Sequence, residues 1–127
     1  MHLGGDDLAW KFNNSSPIYL QIMEQIKVMI AKGELKSGDK VPPVRDMALA
    51  AGVNPNTMQK ALAELEREGI LYSNRTAGRF VADVSNENVN VREQVSEKYV
   101  ASYVDNMRRS GFSDDEIVRL VENYMEE

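Results

Sequence analysis

One stretch, residues 53–71, constrains the fold more than any other because it specifies where a helix starts and stops. Asn54 is a favoured N-cap, and Pro55 suits the first helical position, where no backbone donor is needed. Gly69 supplies the left-handed residue that commonly ends a helix. Between these signals, apolar residues recur at i, i+3, i+4 and i+7: Met58, Ala61, Leu62 and Leu65. The stretch predicts one short amphipathic helix.

The opposite face of this helix is polar at its N-terminal end. It carries amides, one hydroxyl and one cation: Asn54, Asn56, Thr57, Gln59 and Lys60. Side chains of these types read base edges in the major groove and bind phosphate. Taken alone, the same pattern fits an ordinary solvated helix surface about equally well.

A shorter helix is predicted just upstream, within residues 41–52, and Gly52 turns the chain toward Asn54. Two helices joined by a short glycine-containing turn are typical of a helix-turn-helix unit. A further helix begins at Pro17 and ends at Gly33, with an apolar stripe for the core: Ile18, Ile22, Ile26, Met29 and Ile30.

Two apolar runs, residues 70–73 and 79–82, flank a polar loop at 74–78 and predict a β-hairpin. The loop carries Arg75, and Arg79 follows it. A lone loop arginine is more often simply solvated, but its position directly after a helix-turn-helix favours a contact with DNA.

Composition excludes several classes of function. The chain has 127 residues and no cysteine, and its one histidine, His2, lies at a terminus that we expect to be frayed. Neither a Cys/His metal site nor a Ser-His-Asp set can therefore be assembled. We expect no metal, no cofactor and no enzymatic activity. No apolar run approaches the length of a membrane span and no signal peptide is visible, so we expect a cytoplasmic protein without a membrane partner.

The net charge of -5 is unevenly distributed. Residues 17–84 carry nine Lys/Arg against eight Asp/Glu, whereas residues 85–127 carry five against ten. The acidic residues are thus concentrated away from the predicted helix-turn-helix, and the overall charge does not argue against a DNA partner.

Residues 17–82 resemble the GntR family of bacterial winged-helix repressors. The resemblance rests on Pro17-Ile18-Tyr19-x-Gln21-Ile22, on residues 33–48 with Val41-Pro42-x-Val44-Arg45, and on residues 53–70. It implies DNA contacts from Arg45, from the start of the recognition helix and from the wing loop. The chain departs from the family pattern at Pro43, where serine is usual and an N-cap is lost, and at Thr76, where the wing usually has glycine.

The C-terminal segment predicts two more amphipathic helices, about 91–110 and from Ser113 onward, with Ser113 and Glu116 forming a capping box. Their apolar stripes need a second surface, which is either the winged domain or another copy of the chain. A C2 dimer suits a palindromic operator. The predicted dimerisation residues are Val95, Tyr99, Tyr103, Met107, Ile117, Leu120, Val121 and Tyr124. The link Gly111-Phe112-Ser113 resembles the short YtrA-like branch of the family, which implies dimerisation and control of transporter genes.

We therefore predict a mostly α fold with a small β-hairpin: an N-terminal arm at 1–16, a winged helix-turn-helix domain at 17–84, and a helical dimerisation hairpin at 85–127. The predicted function is a homodimeric, sequence-specific DNA-binding transcriptional regulator, with repression favoured over activation. Its DNA-binding residues are Arg45, Asn54, Asn56, Thr57, Gln59, Lys60, Arg75 and Arg79.

Three alternatives stay open at this point. The winged-helix fold also serves as a protein-interaction module. A small-molecule effector could bind an apolar pocket lined by Tyr99, Tyr103 and Met107, although interface core is the favoured interpretation of these three residues. In the arm, Trp10 and Phe12 could either pack on the core as a small strand or belong to an unstructured segment.

Overall fold

A computed structural model of the chain describes residues 10–127. Contacts divide it into a first unit that ends at Arg92 and a second unit, Glu93–Glu127. The elements follow in the order α1 (Ile18–Lys32), α2 (Val44–Ala51), α3 (Pro55–Arg67), β1 (Leu71–Asn74), β2 (Gly78–Val81), α4 (Val91–Arg109) and α5 (Asp114–Met125). The predicted fold class, mostly α with a small β-hairpin, is confirmed.

Helix α3 lies at the centre of the first unit, where it packs against α1, α2 and β1. Asn54 caps its start, since the side-chain Oδ1 accepts a hydrogen bond from the Asn56 backbone amide at 2.7 Å. The four apolar residues of the predicted stripe are completely buried: Met58, Ala61, Leu62 and Leu65. Burial of this stripe leaves the polar N-terminal face of the helix outward.

Helix α2 starts without a side-chain cap, as the substitution of proline for serine at position 43 predicts. The Pro43 carbonyl nevertheless accepts the first helical hydrogen bond, from the Met47 amide at 3.1 Å. Gly52 has φ +72°, and this left-handed turn directs the chain from α2 into the N-cap of α3.

The hairpin is antiparallel, and its register pairs Leu71 with Val81 and Asn74 with Gly78. The strands lie within one residue of the predicted runs. A third segment, residues 38–41, pairs with β2: the Val81 amide donates to the Asp39 carbonyl at 2.9 Å, and the Val41 amide donates to the Arg79 carbonyl at 2.8 Å. This pairing joins backbone segments far apart in sequence, so local sequence periodicity does not predict it.

Residues 10–16 form no strand and lie along α1, where two glutamines hold them. Gln25 accepts from the Lys11 amide and donates to the Lys11 carbonyl, while Gln21 bonds both backbone groups of Asn13. The rings of Trp10 and Phe12 stack with centroids 6.3 Å apart. Expectations for residues 1–9 concern positions outside the described residues.

The first turn of α4 belongs to the first unit. Val91 is completely buried, and the Arg92 guanidinium donates to the Ala31 carbonyl in the last turn of α1. The compact unit thus extends through Arg92, whereas the predicted domain boundary lies between residues 84 and 85.

The second unit consists of the rest of α4 and of α5. The predicted capping box is present: the Glu116 amide donates to Ser113 Oγ, and the Ser113 amide donates to the Glu116 carboxylate. Within residues 93–127, only Ile117 is a buried apolar side chain, and the two helices make almost no close backbone contacts. Among the described residues, no helix is both long and apolar enough to cross a bilayer.

Candidate nucleic-acid interface

The first two turns of α3 present the predicted base-reading residues to solvent. Asn54, Asn56 and Gln59 are exposed, and Thr57 is half-buried. Because the cap uses Asn54 Oδ1, the Asn54 side chain has mainly its amide hydrogens left for a ligand. Asn56 and Gln59 each offer a donor and an acceptor, which is what bidentate recognition of an adenine edge requires.

Lys60 extends this surface toward the start of α1. Its ammonium lies 4.1 Å from the centroid of the Tyr19 ring, close enough for a cation–π interaction. The lysine side chain is otherwise exposed. A cation held against an aromatic face keeps its N–H donors for an anion, so Tyr19 limits the positions that the Lys60 charge can take.

The cations of the first unit fall into two groups. Four of them pair with carboxylates: Lys27 with Glu68, Lys32 with Glu34, Arg67 with Glu64, and Arg79 with Glu66. In the described part of this unit, no carboxylate lies within ion-pair distance of Lys40, Arg45, Lys60 or Arg75. Arg79 is thus the one predicted DNA-binding cation that is paired. The unpaired cations include the other three, Arg45, Lys60 and Arg75, together with Lys40. Their charge is uncompensated and available to phosphate.

The wing loop, residues 75–77, is closed by Asn74. The Asn74 Oδ1 accepts hydrogen bonds from the Thr76 amide at 3.0 Å, the Thr76 hydroxyl at 3.1 Å and the Ala77 amide at 3.3 Å. Threonine at position 76 therefore shapes the loop through its hydroxyl. Arg75 is exposed at the tip.

Lys40 is a candidate contact that the sequence analysis missed. It forms a β-bridge with Phe80, and its side chain crosses Gly78 so closely that an added Cβ there would lie 3.1 Å from Lys40 Cε. Gly78 also has φ +111°, which a side chain would strain. The bridge to Phe80 and the close crossing of Gly78 put a second exposed cation beside the wing. The signal that identifies it is the long-range bridge, which only the tertiary fold supplies.

Arg79 lies among different neighbours from Arg75. Its Nε and Nη2 donate to Glu66 Oε2 at 3.1 and 2.9 Å. The side chain of Arg79 is 17% exposed and that of Glu66 is 27% exposed. Arg79 thus faces α3, whereas Arg75 faces solvent.

The Glu66 carboxylate is held ionised. Burial opposes its charge, but hydrogen bonds from Ser73 and Arg79, together with the Arg79 charge, lower the pKa of Glu66 below its ordinary value. The carboxylate therefore remains a fixed negative partner for Arg79 throughout the neutral range.

Comparison with known proteins identifies the family of this chain. The model of a family described as "Bacterial regulatory proteins, gntR family" matches residues 18–81, which is half of the chain. The chain belongs to the gntR family. It is a DNA-binding transcriptional regulator rather than an enzyme, as the sequence analysis predicts.

Two relatives from Bacillus subtilis show how much of the chain the sequence similarity covers. An uncharacterized HTH-type transcriptional regulator, YhcF, is 34% identical over 91% of this chain and 96% of its own length. The HTH-type transcriptional repressor YtrA is 47% identical over 55% of this chain and 54% of its own length. The first likeness includes the C-terminal helices as well as the winged domain, and the predicted resemblance to YtrA is confirmed.

Solved structures place the gntR chain among proteins of the same fold. A GntR family transcriptional regulator from Listeria monocytogenes superposes with a TM-score of 0.78 at 30% identity, over 88% of this chain and 98% of that one. The AraR DNA-binding domain, solved in complex with operator ORX1, gives a TM-score of 0.54 at 31% identity, over 59% of this chain and 96% of that one.

The predicted dimerisation residues of this gntR chain lie on α4 and α5, and most are accessible. Tyr99, Tyr103, Leu120, Val121 and Tyr124 are exposed, Val95 and Met107 are half-buried, and Ile117 is buried. Further exposed apolar side chains in the same unit include Val100, Phe112, Val118 and Met125. Among the described residues, no group of three or more His, Asp or Glu side chains could hold a metal ion.

Proposed function

We propose that this gntR-family regulator is a repressor that binds a palindromic operator as a homodimer. The observation that carries the proposal is the outward face of α3, where exposed Asn56 and Gln59 adjoin the unpaired cation Lys60. A helix-turn-helix unit inserts this part of its second helix into the major groove.

The roles divide by chemistry. Asn56, Thr57 and Gln59 read base edges, and Asn54 donates through its amide. Lys60 and Arg75 bind phosphates, and Lys40 adds a phosphate contact beside the wing. Arg45, on the first turn of α2, either binds a phosphate or reaches a guanine edge.

The homodimer is supported by the composition of the second unit. A 35-residue segment with one buried apolar side chain and nine exposed large ones cannot be stable by itself. A second copy offers the same apolar stripe, and a two-fold axis would let the two stripes bury each other. Two-fold symmetry would present two α3 helices to half-sites about 10 bp apart, or a multiple of that spacing.

The resemblance to YtrA supports further proposals about biological role. Control of transporter genes is the role that this resemblance implies, and binding to bacterial operator DNA supports a cytoplasmic location. A small-molecule effector would bind at the dimer seam near Tyr99, Tyr103 and Met107.

The test is a mobility shift with a palindromic fragment from the region upstream of the chain's own gene, with excess nonspecific DNA. We expect a shift at nanomolar protein and a steep salt dependence. Replacing Lys60 with Ala should weaken binding to all sequences and lower the slope of log K against log salt by about one. Gln59→Ala should instead reduce the preference for operator over nonspecific DNA by about 10- to 100-fold.

An unchanged salt slope in Lys60→Ala would show that Lys60 does not bind phosphate. Failure of the wild-type protein to shift any genomic fragment would favour a protein-interaction module instead.

A further inference from the structure

One carboxylate joins the recognition helix to both strands of the wing. Glu66 Oε2 accepts both hydrogen bonds from Arg79, and Glu66 Oε1 accepts the Ser73 hydroxyl at 2.6 Å. Ser73 and Arg79 are directly opposite each other in the hairpin register. We call these three side chains the Glu66 cluster.

The cluster lies directly below the wing loop. One residue, Asn74, separates Ser73 from the loop on β1, and one residue, Gly78, separates Arg79 from it on β2. Glu66 is on α3, the helix that also carries Gln59 and Lys60. The cluster therefore sets the spacing between the helix that enters a groove and the loop that carries Arg75.

The charges show why Arg79 is unsuited to binding phosphate directly. Moving its guanidinium to DNA would break two charge-assisted hydrogen bonds and leave the partly buried Glu66 carboxylate without its cation. Both costs oppose the predicted contact of Arg79 with DNA.

We propose that the Glu66 cluster positions the wing on the recognition helix, and that Arg79 affects DNA binding only by fixing where Arg75 is presented. This inference rests on the proposed DNA-binding function. Glu66 and Arg79 are positioning residues, and Arg75 is the residue that touches the phosphate.

The experiment compares full-length variants in operator binding across a salt series. Glu66→Ala and Arg79→Ala should each weaken binding about tenfold, because a wing that is no longer held on α3 must be ordered when DNA binds. The salt slope should stay unchanged, because Arg75 still reaches its phosphate in the complex. Arg75→Ala should lower the slope by about one. The exchanged pair Glu66→Arg/Arg79→Glu should recover most of the lost affinity, because the charges can pair again.

Glu64→Ala is the matched control, because it removes a carboxylate from the same helix outside the cluster. It should bind operator as tightly as wild type or slightly more tightly. If Arg79 bound phosphate, Glu66→Ala would free it and strengthen binding, and Arg79→Ala would lower the slope. Either result overturns the proposal.

A second measurement tests the role of the Glu66 cluster without relying on DNA binding. Hydrogen exchange of the amides of residues 76–80 should be at least threefold faster in Glu66→Ala than in Glu64→Ala, without DNA present. If wild type binds no operator, this measurement still tests the cluster. Equal exchange in the two variants shows that the carboxylate does not hold the wing.

Discussion

At the scale of single residues, Asn54 combines a structural role with a proposed functional one. Its Oδ1 caps α3, and its amide group remains at the edge of the base-reading surface. The cap sets the direction of the first turn, where Asn56 and Thr57 lie. Loss of the cap would therefore affect both helix stability and the orientation of neighbouring contacts.

We predict that Asn54→Ala lowers the free energy of unfolding of the winged domain by about 1 kcal/mol, because the Asn56 amide loses its acceptor. Denaturant unfolding followed by circular dichroism measures this loss. Asn54→Asp keeps the acceptor and should unfold like wild type. Equal destabilisation by Asp and Ala would show that the cap hydrogen bond is not the cause.

At the scale of elements, the Glu66 carboxylate of α3 bonds side chains on both strands of the hairpin, Ser73 and Arg79. Because the pKa of Glu66 is lower in the folded protein than in the unfolded chain, the group stabilises the fold at pH values above its unfolded pKa of about 4.3. This contribution is lost as the pH falls through the folded pKa.

We predict that Glu66→Ala is less stable than wild type by about 1 kcal/mol between pH 5 and 7, and that this difference shrinks below about pH 4. Thermal unfolding of both proteins across this pH range measures it. A difference that stays constant down to pH 3 would show that the Glu66 charge is not what holds the hairpin. Glu64→Ala again controls for removal of a carboxylate from α3.

At the scale of the whole molecule, the two units differ in how much core they possess. The first unit buries a continuous set of apolar side chains around α3, whereas residues 93–127 bury only Ile117. The proposed homodimer would give the second unit the apolar surface that it lacks, and the acidic composition of residues 85–127 is consistent with a role in dimerisation rather than in DNA binding.

We predict that Leu120→Glu converts the protein to a monomer at about 10 µM, because a carboxylate cannot be buried unpaired in an apolar interface. Sedimentation equilibrium measures the mass. Affinity for a palindromic fragment should fall at least tenfold, while affinity for a single half-site should stay unchanged. Asn123→Glu places the same charge on the polar side of α5 and should remain dimeric. A monomeric wild-type protein would contradict the dimer itself.

The sequence by itself determined the elements of this fold because their signals are local. Asn54 and Gly52 mark the turn of the helix-turn-helix, the spacing of Met58 to Leu65 marks the buried face of α3, and Ser113 with Glu116 marks the start of α5. Residue types also marked the hairpin and the polar face of α3, and the family resemblance added Arg45 and the interpretation of the hairpin loop as a wing that contacts DNA. These features depend on residues a few positions apart, so periodicity and capping chemistry reveal them.

Only the tertiary structure decided which cations are paired. Arg75 and Arg79 are alike in sequence, four positions apart beside one loop, yet one is exposed and the other bonds Glu66 on a different element. Lys40 joins the wing through a bridge to Phe80, and Lys60 is held over Tyr19. These partners lie 13 to 41 residues apart in the chain. Long-range pairing depends on how the elements pack in three dimensions, so local sequence patterns do not predict it.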